Sequence, residues 1–181
     1  VRDAVGSERY RVEVCTEGGH SFGCFGNRNA IAYLSSMIDT LYELKPPVSK
    51  TRTTYNVGTI RGGTSVNTIA QQAEMLYEYR SDSAADLDFI RRHFEAVIAA
   101  YRAKGITVHT ELLGQRPCSG DVDPEKLDAL SARIGAAIAA YSGVTPAVHA
   151  GSTDCNIPLS LGIPAVCVGV VAGAGAHTRE E

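Results

Sequence analysis

Residues 53–80 read TTYNVGTIRGGTSVNTIAQQAEMLYEYR, and the reading of this stretch decides the fold. TTYNVGTIRG (53–62) is dense in threonine, tyrosine, valine and isoleucine, which suit a pleated, half-buried surface, and it predicts a strand. AEMLYEYR (73–80) sets Ala73, Met75, Tyr77 and Tyr79 against charged neighbours, the period of two expected of a strand with one buried face. Between them GGTSVNTIAQ (62–71) reads as a loop.

Upstream, RYRVEVC (9–15) alternates with Tyr10, Val12 and Val14 on one face and predicts a first strand. A glycine-rich run, GGHSFGCFG (18–26), follows. Ala30, Leu34, Met37, Ile38 and Leu41 then recur at helical spacing, with Asn27 and Asn29 as candidate N-caps and Pro46-Pro47 as the stop. Downstream, Ser83 and Asp86 predict a capping box ahead of a helix carrying Leu87, Ile90, Phe94, Val97, Ile98 and Tyr101, closed by Gly105. Ile106, Val108, Thr110 and Leu112 alternate as a last strand. The order β-α-β-β-α-β is that of a ferredoxin-like sandwich, an antiparallel sheet with both helices on one face. An α+β domain over residues 1–116 is the expectation.

The remainder, 117–181, changes character. QRPCSGDVDP reads as a linker, and Asp123-Pro124 starts a third helix bearing Leu127, Leu130, Ile134, Ile138 and Tyr141 before Gly143. IPAVCVGV (163–170) is a nearly continuous apolar run, as in a strand buried on both faces of an α/β sheet. So few elements cannot build such a sheet, so its other strands are expected from additional chain or from a partner. The chain has no initiator methionine and ends at HTREE, and both ends read as cuts through something longer.

Seventeen basic against twenty acidic residues give a net charge of −3, and the basic ones are scattered. No nucleic-acid footprint or anionic-membrane patch is therefore expected. Five widely spaced cysteines without a C-x-x-C favour neither a disulfide framework nor a thiolate zinc site, and they fit a reducing, cytoplasmic setting. No apolar run is long enough to span a bilayer.

Four groups of residues invite a functional reading, and each has a plainer one. His20, flanked by glycines, is presented rather than buried, yet has no acid at metal-ligand spacing and could be an idle loop residue. Asn67 could cap a turn. Arg80 could pair with Asp82 at the surface. GSTDCN with Ser152 and Thr153 could be an ordinary turn, and GAGAHT with His177 a flexible loop. His93 and His109 read as surface residues, and His149 as at best near a cleft.

Taken together and in order, GGHSFG, NVGTIRGGTSVNTIAQQAEMLYEYRS, GSTDCNIPLSLGIPAV and GAHTREE closely resemble the M20 family of zinc metallopeptidases and amidohydrolases. That family includes aminoacylases, tripeptidases, glutamate carboxypeptidases and succinyl-diaminopimelate desuccinylase. The resemblance implies that 1–116 is the lid or dimerisation domain and 117–181 the C-terminal part of a zinc-peptidase catalytic domain. It implies a homodimer in which His20 reaches into the other subunit's active site to bind the scissile carbonyl and its oxyanion. Asn67 would hold substrate near that oxyanion, and Arg80 would grip the substrate carboxylate. Ser152 and Thr153 would line the substrate cleft, and His177 would be a zinc ligand.

The family's remaining ligands for two zinc ions, and its general-base glutamate, have no counterpart here. A single His177 should not retain zinc, and the fragment alone is expected to be inactive. The parent reads as a peptidase acting on small peptides, with SVNTIA and GSTDCNIPLSLGIPAV nearer the tripeptidase branch. An N-acyl amino acid amidohydrolase of aminoacylase or desuccinylase type is the alternative within the family. An isolated dimerisation or binding module is the alternative outside it.

Overall fold

The structure is a computed structural model that describes residues 1–46 and 51–169. Its strands are β1 (Asp3–Ala4), β2 (Gly6–Cys15), β3 (Gly19–His20), β4 (Thr53–Gly62), β5 (Thr68–Ile69), β6 (Gln72–Ser81), β7 (Thr107–Arg116) and β8 (Ala150–Gly151). Its helices are α1 (Ala30–Tyr42), α2 (Ala84–Ala103), α3 (Pro124–Ser142) and α4 (Asn156–Ser160). None of the helices is long and apolar enough to cross a membrane.

The main sheet runs β4-β6-β2-β7, antiparallel throughout. In chain order this is the ferredoxin-like arrangement, and the fold is α+β as the patterning predicted. Val12 and Val14 of β2 and Ala73, Met75, Tyr77 and Tyr79 of β6 point to one face, where Leu34, Met37 and Leu41 of α1 and Ile90, Phe94 and Ile98 of α2 meet them in a single core. Tyr77 and Phe94 stack with ring centroids 5.5 Å apart, a geometry that adds to their area burial. Among the described residues no helix covers the opposite face of the sheet.

Local signals account for the helix starts. Asn29 Oδ1 accepts from the amides of Ile31 and Ala32 at 3.0 and 3.4 Å, so Asn29 is the cap. Asn27 instead donates to the Gly18 carbonyl at 2.7 Å and fastens the glycine turn. Only half of the expected capping box forms: Ser83 Oγ accepts from the Asp86 amide at 3.2 Å, while the Ser83 amide donates to Ser81 Oγ at 3.1 Å. The Asp86 carboxylate is engaged by Thr51 Oγ1. Helix α3 begins as expected, with Asp123 Oδ1 capping Glu125 and Lys126 ahead of Pro124, and it stops at Gly143 in the left-handed region, φ 72°.

Three expectations need correction. The alternation in β7 buries Val108 but leaves Leu112 half-exposed, because the strand lies at the sheet edge and its register shifts against β2 between Arg9 and Tyr10. GGTSVNTIAQ is not wholly loop, since Thr68–Ile69 pairs with Gly19–His20. IPAVCVGV forms no strand over its described residues, 163–169, and is only partly covered. The physical reason is a shortage of neighbours: Cys167 exchanges backbone hydrogen bonds with Val1, at 2.6 and 2.9 Å, and among the described residues no strand is paired beyond it.

The start of the chain belongs with its end. β1 pairs in parallel with β8, and Ala4 joins Leu127, Cys155 and Leu159 in a second, small cluster. Conversely, Cys118 packs into the main core.

Candidate functional site

Two separate groups of candidate residues emerge. The first stands beyond the Cys15/Gln72 end of the sheet. Gly18 and Gly19 take φ of 62° and 134°, and a Cβ on Gly19 would lie 2.7 Å from the Cys24 Cβ, so the turn that delivers His20 requires glycine there. His20 pairs across to Thr68, and the Ser21 amide donates to the Asn67 carbonyl at 2.9 Å. His20 and Asn67 therefore stand on adjoining loops, so the histidine does have a local partner, one that its immediate sequence did not reveal.

The hydrogen bonds of this group decide which atoms remain available. His20 Nδ1 accepts from the amides of Phe22 and Gly23 at 3.3 and 3.2 Å, which leaves Nε2 as the ring's N–H donor. Asn67 Oδ1 accepts from Ser65 Oγ at 2.9 Å, and its amide Nδ2 has no partner among the described residues. Two N–H donors thus sit on one exposed tip, a combination suited to an oxyanion. Around them Phe22, Phe25 and Val66 are almost wholly solvent-exposed, at 90%, 91% and 103%, which is costly for apolar side chains clustered on one projection.

The second group lies at the opposite end, on the open face of the sheet. One row of the register crosses Arg116, Ser7, Arg80 and Thr54. Ser152 Oγ lies 3.3 Å from Ser7 Oγ, and Arg116 holds the Ser152 carbonyl at 2.8 Å. A cavity of about 760 Å³ results, lined by Arg52, Thr54, Glu78, Arg80, His149 and Ser152. Arg80 does not pair with Asp82. Its Nε and a terminal nitrogen bind both oxygens of Glu78, at 3.1 and 2.9 Å, because Glu78 shares its face of β6 while Asp82 lies past the strand's end. Asp82 Oδ1 accepts instead from the Arg52 amide. Burial works to raise the Glu78 carboxyl, but the hydrogen bonds and charges of Arg80 and Arg9 outweigh it and hold the group below its ordinary value.

Thr153 is turned inward to its own loop. Its amide donates to Asn156 Oδ1 at 2.8 Å and its hydroxyl lies 2.8 Å from Cys155 Sγ. The buried Asn156 also donates to the carbonyls of Val5 and Pro117, both at 2.9 Å, and so ties the GSTDCN loop to both ends of the sheet domain. Sequence reasoning passed over Asn156, whose partners lie 39 and 151 residues away and leave no local signal. His177 lies outside the described residues. His109 is exposed, and His93 is half-buried with Nε2 unpartnered.

The two groups are separated by the sheet itself. From Gln72 to Arg80 the strand covers eight residue steps, so His20 and Arg80 of one chain lie roughly 30 Å apart.

The fold is thus a sheet-and-helix module with a donor-bearing tip at one end and a polar cavity at the other. The family model described as the peptidase dimerisation domain of the M20 group matches residues 5–105. The chain belongs to that family.

Solved structures share the fold. A tripeptidase from Staphylococcus aureus is 21% identical with a TM-score of 0.65, covering 91% of this chain and 43% of its own. An aminobenzoyl-glutamate utilization protein from Klebsiella pneumoniae is 20% identical with a TM-score of 0.65, covering 87% and 42%. A hydantoinase/carbamoylase family amidase from Burkholderia ambifaria is 20% identical with a TM-score of 0.64, covering 91% and 40%. The chain spans about two fifths of the length of these proteins. No curated protein matches the chain.

Proposed function

We propose that the chain is the dimerisation portion, with part of the catalytic portion, of a hydrolase that cleaves an amide bond in small peptides. Residues 1–116 act as the lid and 117–181 as the end of the catalytic domain. The observation that carries this reading is the separation of His20 and Asn67 from Arg80 and Ser152. Groups roughly 30 Å apart cannot touch one small substrate. Each pair is nonetheless armed for a complementary task, donors for an oxyanion on one side and a guanidinium for a carboxylate on the other. The division makes sense when two copies face each other, so that the His20 tip of one completes the Arg80 cavity of its partner. Thr153 helps shape that cavity through its loop. Burial of Phe22, Phe25 and Val66 in the partner then removes the apolar exposure of the tip.

Zinc is the metal the M20 resemblance implies. Among the described residues the cavity offers no ligand set for it, since Glu78 is held by Arg80 and Arg9. His177 with residues beyond this chain would have to hold the ions, and the 181-residue chain by itself is inactive. The described cysteines are all free, which fits a cytoplasmic setting. An N-acyl amino acid as substrate presents the same carboxylate and carbonyl, and the amidase and utilization-protein neighbours keep it as the second reading.

The test mixes two variants of the longer protein, His20→Ala and Arg80→Ala. The His20→Ala homodimer should lose at least about a hundredfold in kcat, the scale of one lost oxyanion donor. Random pairing should restore about a quarter of wild-type activity, since half the dimers are hybrids with one intact site each. No recovery, with hybrids verified by native mass spectrometry, would refute the division between copies.

A further inference from the structure

The open face of the sheet carries a group of residues that the proposed hydrolysis does not use. Glu13 and Cys15 lie two residues apart on β2, and His109 stands opposite Glu13 on β7. One ligand atom from each, a carboxylate oxygen, the thiol sulfur and an imidazole nitrogen, lies within 4.8 Å of the other two. We propose that Glu13, Cys15 and His109 form a binding site for a borderline-soft divalent transition ion, zinc foremost, with solvent completing its coordination.

The donor set selects the ion. A thiolate and an imidazole beside one carboxylate match zinc or cobalt, whereas magnesium and calcium require oxygen ligands. Tetrahedral zinc places its donor atoms roughly 3.5 Å apart, so rotation of the half-buried Glu13 and Cys15 and the exposed His109 side chains closes the remaining gap without moving the strands. His109 has no hydrogen-bond partner among the described residues, so both ring nitrogens are available. Gln72 Nε2 donates to Glu13 Oε1, an outer contact of the kind that orients a ligating carboxylate. The neighbouring charge leaves Glu13 available: Arg11, from β2, is already engaged by Glu111 of β7 at 2.9 Å and by Glu74 of β6 at 4.0 Å, and Arg61 of β4 stands opposite Glu74, on the far side of it from Glu13. Burial, then the charge and hydrogen bond of Glu13, push the Cys15 thiol up. Binding therefore displaces the thiol proton to solvent and replaces it with the metal. The ion would pin the edge strand β7 to β2 next to the turn that leads to Gly18 and Gly19.

Cobalt(II) titration of the 181-residue chain tests this directly. The expected result is a thiolate-to-cobalt charge-transfer band that saturates at one equivalent, bleaches on addition of zinc and is indifferent to magnesium. The band should vanish in Cys15→Ser and persist in His177→Ala. His109→Ala and Glu13→Gln, both at the surface, should each weaken the affinity at least about tenfold, with circular dichroism confirming that each variant is folded. Absence of the band, its survival in Cys15→Ser, or unchanged affinity in both surface variants would overturn the site.

Discussion

Helices α2 and α3 are almost the same length, 20 and 19 residues, and both carry an apolar stripe. They meet different fates. Six apolar side chains of α2, from Leu87 to Tyr101, are buried against the sheet, whereas α3 buries only Leu127 and leaves Tyr141 97% exposed. Each has a working N-cap, so the contrast does not come from how the helices begin. It comes from what lies beneath them. Under α2 runs a four-stranded sheet of ten-residue strands, while among the described residues the region of α3 has only the two-residue pair β1 and β8. A helix can be specified locally by its caps and period, but its burial requires a second layer.

The most drastic way to break this comparison is to divide the chain. A segment of residues 6–118 contains the whole main core including Cys118, and its β2 and β6 amides should keep their hydrogen-exchange protection. Residues 119–169 alone should lose protection throughout α3. Loss of protection in the first segment would show that the large core depends on the small one.

Next in size is Glu8, whose side chain is 1% exposed inside the better-packed region. It accepts from Arg91 Nε and Gln115 Nε2, both at 3.0 Å, and from Tyr10 at 2.9 Å, with Tyr79 at 2.5 Å. Removing one partner of such a network leaves the others uncompensated, so Glu8→Ala should cost about 3–5 kcal/mol in denaturant unfolding. Burial works to raise this carboxyl, but the hydrogen bonds from Arg91, Tyr79 and Tyr10 and the Arg91 charge outweigh it, leaving it below its ordinary value of 4.5. The sign follows: a depressed carboxyl contributes fully above 4.5 and is lost as pH falls through its folded value. The stability gap between the chain and Glu8→Gln should therefore narrow in acid, and a gap that widens would contradict the network.

The smallest effects come from paired truncations. Leu34→Ala, fully buried beneath the sheet, should cost about 2–5 kcal/mol, whereas Ile138→Ala on the uncovered stripe of α3 should cost less than about 1 kcal/mol. Equal costs would mean that α3 is covered in solution, as it would be within a larger assembly.

What could be read in the residues follows the same division. The alternation of Tyr77 and Tyr79, the period of Leu34 and Leu41, and the caps at Asn29, Ser83 and Asp123 are local signals, and the sheet domain is made of them. IPAVCVGV signalled a need for burial, but an apolar run carries no record of whether partner strands are at hand. Glu8 escaped notice because a strand begun at Arg9 leaves it outside. Counting back by two from Tyr10 would have placed it on the buried face. At the candidate site, GGHS announced His20, and nothing within either loop announced that His20 and Asn67 adjoin, since β3 and β5 have two residues each and no pattern to read. The spacing of two that relates Arg80 to Glu78 relates it equally to Asp82, and the choice was made by where β6 ends, at Ser81.

The length of those ten-residue strands ties the proposed site to concentration. Divided between copies as proposed, with its halves at opposite ends of the sheet, the site would exist only while two copies are together. Dilution below the dissociation constant would then remove functional sites without unfolding anything, and specific activity would fall in proportion to concentration. Expression level would become a control on output in its own right, steeper than for an enzyme whose site is complete in one chain.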